Sequence, residues 1–485
     1  MESAVKEMHA FFNPNSVAIV GATRKIDKAG HVIFKNFAES KRRGVFKGEL
    51  YPVNPHEDSV LGFECYATVD KVPGKLELVV IVIPAKHVPR VMEDAAAKQV
   101  KAVVIISSGF SEIGNTELED RVKTTAQKAD MRLLGPNCLG VYDSTTGVDM
   151  LFLPETRVLT TGDEVIATPR PMLGKIAVVT QSGAFGVAAL DYLAGRQIGA
   201  SKFVSFGNKI DVNEAEMLHY LLYDDDTQVI LLYLEDIKSG RHFLKVAEKV
   251  TRKKPIVALK CGRTKAGARA AASHTGAIAG TEKTWDSLLK QAGAIRVHSL
   301  DELVDVALIF RFMSPPEGKN IAVIGFGGGT GVQAADACSN NGLNTPLLPP
   351  EIRQKLKAIW STEAGSSFKN PVDLFGNVQK KGIEWSIKAI AEWKQVHLIL
   401  IHVPVYINPD AGKRLLKSYT MSLLNLAPQI KKRTAVVLNA VFTEQSSTDM
   451  SEAWLTLSKA GFPLFPSVER AINAIGRFVQ YHDNS

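Results

Sequence analysis

Short runs of apolar residues alternate with amphipathic stretches over the first third of the chain. The runs SVAIVGA (16–22), ELVVIVIPA (77–85), KAVVIISSGF (101–110) and MRLLGPNCLG (131–140) all end in small, polar or turn-forming residues. Amphipathic stretches such as VPRVMEDAAAKQV lie between them. Strands buried on both faces that alternate with helices are typical of a parallel, doubly wound sheet. The pattern predicts an α/β fold of the Rossmann type.

The same pattern restarts twice, at GKIAVVTQSGAFGVAALDYL (174–193) and at KNIAVIGFGGGTGVQAADAC (319–338). In each case an apolar strand leads into a glycine-rich turn and then a helix. SPPEGKN (314–320) is rich in Pro and Gly, which indicates a linker, and LTTGDEVIATPRP (159–171) has the composition of a surface loop. We therefore predict three Rossmann/flavodoxin-like doubly wound parallel-sheet domains in tandem, at residues 1–145, 171–314 and 319–485.

Composition narrows the possible classes of function. The chain has 485 residues, of which 45% are hydrophobic and 22% charged, as in ordinary globular proteins. Its net charge is +8, but the basic residues lie in short scattered runs without a nucleic-acid-binding motif. These observations favour solvated surfaces over a nucleic-acid site, and a small anionic ligand would suit the charge equally well.

Cysteine usage and the N-terminus indicate the compartment. Cys65, Cys138, Cys261 and Cys338 are widely spaced, which argues against a zinc site or a disulfide framework and indicates a reducing environment. The N-terminal residues contain no long apolar segment, and the longest apolar runs are far below the ~20 residues of a membrane span. We expect a cytoplasmic protein without a membrane-bound part.

The first glycine turn, VGATRKIDKAG (20–30), does not match the G-x-G-x-x-G fingerprint of dinucleotide sites. A turn needed only for packing remains an alternative here. The ends of the other predicted strands nevertheless favour a ligand, because Rossmann-type ligands lie across the carboxyl ends of the strands. Arg24 and Lys28 would supply cations for phosphates at that edge.

The other two turns resemble phosphate sites without matching a known nucleotide motif. TQSGAFG (180–186) has no P-loop lysine and is not G-x-S-x-G, so a Walker mechanism or a nucleophile-elbow serine is disfavoured. We interpret Ser182, Gly183 and Ala184 as donors to a single phosphate at a helix N-terminus. GFGGGTG (325–331) is richer still in glycine, and a purely structural role is the less favoured alternative.

One histidine stands apart from the rest. His274 lies in RAAASHTGAIAGTEKTW (269–285), among small residues that are typical of a loop able to move or to pass close to other backbone. Such a loop suits a histidine that takes up and carries a phosphoryl group, provided that a carboxylate orients its ring. Glu235, at the end of the apolar run VILLYLEDIKSG (229–240), is our candidate for that carboxylate. Asp236 competes with it, and a helix cap or a surface charge is an equally open interpretation of an acid at this position.

Four motifs carry a family resemblance over nearly the whole chain: SHTGAIAG (273–280), GPNCLG (135–140), SFGNKIDVNEAE (205–216) and NPVDL (370–374). On these motifs the sequence resembles the NDP-forming acyl-CoA synthetases, relatives of succinyl-CoA synthetase, and is most similar to alpha subunits of the archaeal ADP-forming type. The resemblance implies a reversible acid–CoA ligase reaction: acyl-CoA, ADP and phosphate give acid, CoA and ATP. An acyl phosphate and a phosphohistidine would be its intermediates.

The resemblance also implies roles for individual residues. His274 would be phosphorylated, and Glu235 would stabilise it. Two helix N-termini would face the phosphoryl group, formed by Ser182, Gly183 and Ala184 and by Gly327, Gly328, Gly329 and Gly331. The CoA pocket would be lined by Gly21, Thr23, Lys28, Val53, Asn54, Pro84, Ser108 and Asn137.

By the same resemblance, CoA or acyl-CoA and inorganic phosphate bind to this chain, and no metal does. ADP or ATP with Mg would bind to an ATP-grasp beta subunit, in an alpha2-beta2 heterotetramer. The main alternative is a regulatory protein of the same fold that binds CoA or acyl-CoA without catalysis. An NAD(P)-dependent oxidoreductase is a third hypothesis, which the mismatch of the first turn disfavours.

Overall fold

The computed structural model describes residues 3–267, 269, 281–325, 327–360, 367–374, 380–403, 409–439 and 444–484. The chain divides into two compact units, residues 1–300 and 301–485. Both units are built from parallel β-sheets and helices. Over the described ranges, every helix is too short or too polar to cross a membrane.

Unit 1 begins with a five-stranded parallel sheet. Its strands are β1 (Ser16–Val20), β2 (Glu49–Val53), β5 (Leu78–Ile81), β6 (Ala102–Ile105) and β7 (Arg132–Leu134). Their order is β2-β1-β5-β6-β7, and every residue of β1, β5 and β6 is buried, as expected for strands covered on both faces. The other elements are α1 (Ser3–His9), α2 (Ala29–Arg42), α3 (Val88–Ala97), α4 (Thr116–Lys128) and the short pair β3 (Ser59–Val60) and β4 (Phe63–Glu64).

A second sheet completes unit 1. Its strands are β8 (Gly140–Asp143), β9 (Val148–Asp149), β12 (Leu173–Thr180), β13 (Ala200–Ser205), β14 (Val229–Leu234), β15 (Ile256–Lys260) and β16 (Ile295–Val297). Their order is β16-β15-β14-β12-β13-β8-β9, with β8 and β9 antiparallel at one edge of a parallel sheet. The helices are α5 (Gly183–Gly195), α6 (Glu214–Leu222), α7 (Gly240–Thr251) and α8 (Glu282–Gln291).

The two sheets of unit 1 share one apolar core. Val17 and Ile19 of β1 belong to the same buried cluster as Val204 of β13 and Leu232 of β14. At the junction the rings of Phe12 and Tyr220 stack with centroids 4.5 Å apart. Close-packed interiors transmit displacements, so the loops at the ends of both sheets are held on one rigid support.

The connection between the two sheets differs from the sequence expectation. We predicted a surface loop at 159–171, but β10 (Thr156–Val158) and β11 (Glu164–Ile166) form an antiparallel hairpin there. Gly162 allows the turn because it adopts a φ of +89°. The loop prediction missed β11 within this range, because the hairpin is mostly exposed and its sequence lacks the long apolar run by which the buried strands were found.

Unit 2 contains a third parallel sheet. Its strands are β17 (Ile321–Gly325), β18 (Val372–Asp373), β19 (Leu398–Val403), β20 (Arg433–Leu438) and β21 (Leu464–Phe465), in the order β18-β17-β19-β20-β21. The helices are α9 (Leu300–Phe312), α10 (Gly328–Asn340), α11 (Pro350–Ile359), α12 (Lys380–Ala391), α13 (Pro409–Leu426), α14 (Glu444–Lys459) and α15 (Val468–Asn484). The three sheets confirm the predicted α/β class, and the parallel Rossmann/flavodoxin-like pattern recurs in each.

Helix α9 is tied to the last helix of unit 2. Arg470 of α15 forms ion pairs with Asp301 and Asp305 of α9, at 2.9 and 2.6 Å, and Arg477 pairs with Glu302 at 2.9 Å. Our division of the sequence placed this helix before the 314–320 linker, in the second domain, and residues 140–145 in the first. The three-domain division stays a prediction.

Candidate functional site

The residues predicted to bind CoA lie at the carboxyl edge of the first sheet. Gly21 directly follows β1, and Val53 is the last residue of β2. The loops after β5, β6 and β7 carry the others at this edge, Pro84, Ser108 and Asn137. Since neighbouring parallel strands end at the same edge, five loops of unit 1 converge where an α/β sheet binds its ligand.

The chain turns tightly at the centre of this edge. Gly21 has a φ of +96°, and a Cβ atom there would lie 2.4 Å from the carbonyl oxygen of Val82. The N–H of Gly21 donates to the carbonyl of Val53 over 2.9 Å, and the Asn54 amide donates to that of Ala22 over 2.8 Å. Residue 21 therefore has to be glycine, and Asn54 ties the loops after β1 and β2 together.

Glu57 is a functional candidate that the sequence motifs did not reveal. Its carboxylate accepts the Thr23 hydroxyl over 2.7 Å and pairs with the guanidinium of Arg24 over 2.5 Å. The hydrogen bond from Thr23, then that from the backbone N–H of Arg24 over 3.2 Å, and then the Arg24 guanidinium lower the pKa of Glu57 to about 2. Thr23 is thus fixed by a carboxylate, whereas Arg24 and Lys28 keep most of their side chains exposed at the edge. The only sequence signal for Glu57 was its position a few residues after the end of β2.

The second edge is the carboxyl end of the second sheet, where α5 begins. Ser182 is the N-cap of α5, and its hydroxyl accepts the N–H of Phe185 over 3.3 Å. Gly183 and Ala184 are the first residues of the helix. The first N–H groups of a helix have no acceptor within it and carry a partial positive charge, which suits a phosphoryl group.

Glu235 lies beside this helix start. Thr180 of β12 pairs with Tyr233 of β14, so the residues that follow each strand, Ser182 and Glu235, lie in adjacent loops. The Glu235 side chain is only 6% exposed and accepts the hydroxyl of Tyr233 over 3.2 Å. Burial raises the pKa of Tyr233, and Cys261 and Glu235 add to the effect, so this hydroxyl stays a donor. The structure therefore brings the second phosphate turn and the predicted carboxylate together.

Asp236, the competing carboxylate, is already engaged. Lys209 donates to its Oδ1 over 2.7 Å, and the amide of Gln181 donates to the same oxygen. Burial acts to raise the pKa of Asp236, but the charge and hydrogen bond of Lys209, together with the hydrogen bond of Gln181, outweigh burial and hold that pKa below its ordinary value. An ionised Asp236 that already binds an ammonium group is poorly suited to orient a histidine, which favours Glu235.

Gln181 and Lys209 were not singled out from the sequence as individual residues. Gln181 Oε1 accepts the backbone N–H groups of Glu235 and Asp236, over 2.9 and 3.1 Å. Lys209, with a side chain 1% exposed, also donates to Glu214 Oε2 over 3.0 Å. The available signal was a lysine within the motif SFGNKIDVNEAE, a residue type that is rarely buried without a partner.

A further lysine lies on the strand next to Glu235. Lys260 ends β15, donates to the carbonyl of Cys261, and has its Nζ 4.7 Å from the centre of the Trp285 ring. Burial lowers the pKa of Lys260, although nearby Cys261 and Glu235 oppose the change. His274 lies outside the described residues, in the segment between β15 and α8, so that segment starts from the strand adjacent to Glu235.

The third glycine turn lies in unit 2, at the carboxyl end of β17. Gly327 is the N-cap of α10 with a φ of +95°, and its N–H donates to Asp373 Oδ1 over 2.9 Å. Gly328 and Gly331 line a cavity of about 390 Å³ beside this helix start. Asp373 places a carboxylate where the sequence pattern predicts a phosphate.

A buried histidine also lines this cavity. His402 is 4% exposed, and neither ring nitrogen has a partner at hydrogen-bond geometry among the described residues. Burial lowers the pKa of His402, which the nearby Asn439 side chain partly opposes. Its ring packs against Gly325, where a Cβ atom would lie 2.9 Å from that of His402.

Comparison with known proteins adds the family. Residues 15–144 match the CoA binding domain family, and residues 173–310 match the succinyl-CoA ligase like flavodoxin domain family. Both edges of unit 1 thus fall within matched segments, the first in the CoA-binding model and the second in the ligase model.

Individual proteins show how far the similarity extends. Acetate–CoA ligase [ADP-forming] I subunit alpha of Pyrococcus furiosus is 36% identical over 483 residues, which are 98% of this chain and 97% of that protein. Acetate–CoA ligase [ADP-forming] I of Archaeoglobus fulgidus is 35% identical, and the match covers 98% of this chain but 64% of that longer protein.

Among solved structures, the Ca. Korarchaeum cryptofilum dinucleotide forming acetyl-coenzyme A synthetase 1, in complex with phosphate and ADP, superposes with a TM-score of 0.82. It is 32% identical, and the match covers 98% of this chain and 96% of that chain. The similarity is therefore continuous through both units and through all three sheets. This chain belongs to the family of ADP-forming acetate–CoA ligases, which are acid–CoA ligases.

Proposed function

We propose that the chain is the catalytic alpha subunit of an ADP-forming acyl-CoA synthetase, with acetyl-CoA as the first acyl-CoA to test. The reaction converts acyl-CoA, ADP and phosphate into a carboxylic acid, CoA and ATP. The observation that carries the proposal is the second edge. There the N-terminus of α5 at Ser182 and the buried carboxylate of Glu235 lie in adjacent loops, beside the strand that leads to His274.

The proposed chemistry has three steps. An oxygen of inorganic phosphate attacks the thioester carbonyl, the C–S bond breaks, and CoA leaves as the thiol. A ring nitrogen of His274 then attacks the phosphorus of the acyl phosphate, so that an N–P bond forms and the carboxylate leaves. Finally an oxygen of the ADP β-phosphate attacks the same phosphorus, the N–P bond breaks, and His274 is regenerated as ATP forms.

The residues of this chain serve these steps by positioning and electrostatics, as is general for phosphoryl transfer. The N–H groups at Gly183 and Ala184 stabilise the phosphoryl oxygens, and Glu235 orients the histidine ring and stabilises its positive charge. The backbone N–H of Glu235 donates to Gln181 Oε1, which holds Glu235 in place. A ring nitrogen oriented in this way is a competent nucleophile near neutral pH.

CoA would bind at the first edge. The loops that carry Gly21, Asn54, Pro84, Ser108 and Asn137 would surround its pantetheine and adenosine parts, and Arg24 and Lys28 would meet its phosphates. The remaining residues of this proposed pocket are Thr23 and Val53. The three-domain division of the chain belongs to the same proposal, with CoA on the first domain.

The third turn would start the second of the two helices whose N-termini face the phosphoryl group. Gly327 to Gly331 present another helix N-terminus, and the cavity beside it has room for a phosphoryl group. Because the N–H of Gly327 donates to Asp373, that carboxylate would have to leave this N–H before an anion binds there.

We further propose that ADP and Mg bind on a second polypeptide of the ATP-grasp type, in an alpha2-beta2 assembly. The relative from Pyrococcus furiosus is named as an alpha subunit, and the longer Archaeoglobus fulgidus relative extends beyond the matched region. A separate nucleotide-binding subunit in one organism and a fused one in another would account for both.

The test is to incubate the full chain with acetyl-CoA and radiolabelled inorganic phosphate, without nucleotide. We expect an acid-labile, base-stable phosphoryl group on a peptide that contains His274. Each of the two substrates should be required, because neither phosphate alone nor acetyl-CoA alone can supply the activated phosphoryl group.

Two variants sharpen this experiment. His274→Ala should abolish the label but leave CoA binding intact, whereas His242→Ala, at an exposed histidine of α7, should label like the wild type. Labelling that survives in His274→Ala would refute the phosphohistidine. CoA binding without labelling, for several acyl-CoAs and with a partner subunit added, would favour the regulatory alternative.

A further inference from the structure

The loop between β13 and α6, residues 206–213, joins the two edges of unit 1. It is docked on the CoA edge by its backbone. The N–H groups of Asn208, Ile210 and Val212 donate to the carbonyls of Pro136, Gly135 and Leu133, over 2.9, 3.3 and 3.1 Å. Three N–H groups of the loop are thus bonded to the backbone at the end of β7.

The fit of this loop leaves no room for a side chain at one position. Gly207 has a φ of +60°, and a Cβ atom there would lie 2.0 Å from the carbonyl oxygen of Pro136 and 2.4 Å from that of Asn137. The loop therefore touches the backbone of Asn137, one of the residues proposed to bind CoA.

Asn208 extends this contact to the loop after β6. Its side-chain amide donates to Ser111 Oγ over 3.1 Å and to one carboxylate oxygen each of Glu112 and Glu119, over 2.8 Å. Glu112 in turn accepts the N–H of Gly109, next to Ser108. Two loops that border the proposed CoA pocket are thus fastened to one asparagine in the loop that follows β13.

The next residue points to the other edge. Lys209 has a φ of +53°, a conformation that is unusual outside glycine, and its side chain is buried. Its ammonium group donates to the Oδ1 and to the carbonyl oxygen of Asp236, over 2.7 and 3.0 Å. It also reaches Glu214 at 3.0 Å. A strained backbone persists only where the surroundings fix it, and here the two edges fix it from opposite sides.

We propose that Lys209 is a positioning residue that couples the two edges. Its neighbours Gly207 and Asn208 contact the CoA-binding loops, so Lys209 moves with those loops. Its ammonium group holds Asp236 and thereby sets the position of Glu235. This inference deepens the proposed function. The contacts stand by themselves, but their role in catalysis rests on the proposed function. Occupation of the CoA edge would order the turn at 235–236, so that Glu235 takes its place when an acyl-CoA is bound. One continuous series of contacts, through the shared loop 206–213, links the two sites.

A purely structural role for a buried lysine is the competing explanation, and the chain offers a matched control for it. Lys202, on β13, has a side chain 3% exposed and pairs with Asp143 and Asp224 at 3.1 and 2.9 Å. Like Lys209, Lys202 is buried, pairs with two carboxylates and lies in the same part of the sequence, seven residues earlier. Its partners, however, are away from both proposed edges, since Asp143 lies on β8 and Asp224 follows α6.

The experiment measures amide hydrogen exchange in the full chain with and without CoA, in the wild type and in Lys209→Gln, Lys202→Gln and Asn208→Ala. In the wild type we expect CoA to slow exchange in residues 208–212 and also in 235–238, by about threefold or more. Lys209→Gln should keep the first effect and lose the second. Lys202→Gln should keep both, and Asn208→Ala should weaken both.

Labelling by acetyl-CoA and phosphate gives an independent readout of the same variants. Lys209→Gln should lower the labelling rate by about tenfold to a hundredfold with little change in CoA affinity, since misplacement by about 1 Å can cost that much. Lys202→Gln should label like the wild type. If Lys209→Gln does not fold, amide exchange at 235–238 in Asn208→Ala takes its place. Weaker slowing by CoA in this variant supports the coupling, and unchanged slowing overturns it.

The outcomes separate this inference from the proposed function. CoA-induced slowing at 235–238 that persists in Lys209→Gln, or that never occurs in the wild type, would overturn the coupling. A wild type that shows the exchange pattern but never becomes labelled would overturn the phosphohistidine mechanism and support the coupling alone.

Discussion

Gly207→Ala tests whether the loop 206–213 is held against the CoA edge as tightly as the structure shows. The added Cβ would lie 2.0 Å from the carbonyl oxygen of Pro136, although real Cβ atoms essentially never approach another atom within 3.0 Å. The two backbones must therefore separate by about 1 Å, which in a close-packed region costs about 1–3 kcal/mol. The positive φ of +60° adds about 1–2 kcal/mol for a residue with a side chain. We expect a total loss of about 2–5 kcal/mol in the free energy of opening this loop.

The assay is native-state amide exchange over residues 208–212, because the N–H groups of Asn208, Ile210 and Val212 form the bonds to residues 133–136 and exchange when the loop opens. Gly62→Ala is the matched control: Gly62 has a φ of +86° but no atom within 4 Å of the added Cβ. It should show the conformational cost alone, by urea unfolding. If Gly207→Ala accelerated exchange at 208–212 by less than about tenfold, equivalent to about 1.4 kcal/mol, the close docking of this loop would be refuted.

Three further changes test the two edges of unit 1 and the cavity of unit 2. Glu235→Gln should leave the melting temperature unchanged and shorten the lifetime of the labelled phosphoenzyme, and an unchanged lifetime would exclude Glu235 as the orienting carboxylate. The folded-state pKa of Glu57, about 2, lies below its ordinary value of 4.5, so its stabilisation is complete above pH 4.5 and is lost as the pH falls toward 2. Glu57→Gln should flatten the decline of the melting temperature in that interval, and a profile parallel to the wild type would contradict the Thr23 and Arg24 bonds. Burial holds the pKa of His402 below 6.5, so the unfolded chain takes up the proton first and acidification below pH 6.5 destabilises unit 2. His402→Phe should remove that component from pH-dependent unfolding of residues 301–485, whereas an unchanged pH dependence would show that the ring is not buried as a neutral group.

The strands and the glycine turns were predictable because their signal is local. Runs such as LVVI and AVVI are buried on both faces, so continuous apolarity identified them, and each turn followed from the glycines after a strand. The hairpin at 156–166 was not predictable in this way, because exposed strands alternate without a long apolar run. Glu57 and Lys209 were missed for a different reason. Their roles depend on contacts with Thr23 and Asp236, which lie 34 and 27 positions away.

The charge distribution at the second edge bears on how a phosphoryl group could be held there and still be released. Two of the described lysines near Glu235, Lys209 and Lys260, are not free cations. Lys209 is shared between two carboxylates, and burial lowers the pKa of Lys260. A phosphoryl group at Ser182 would therefore rely on the N–H groups and the dipole of α5 for much of its stabilisation, because Lys209 is already engaged and the charged form of Lys260 is disfavoured by burial.

A helix dipole supplies a partial charge, whereas a direct ion pair with a lysine or arginine supplies a full one. The difference matters for a group that must arrive, bind covalently to a histidine and leave again. If the site bound the phosphoryl group much more tightly than the transition state that follows, the next transfer would slow. Glu235 would then stabilise the cationic ring without adding a positive charge that retains the phosphate. The sequence places glycine, serine and alanine at this helix start, and it commits Lys209 to the positioning of the turn that carries Glu235.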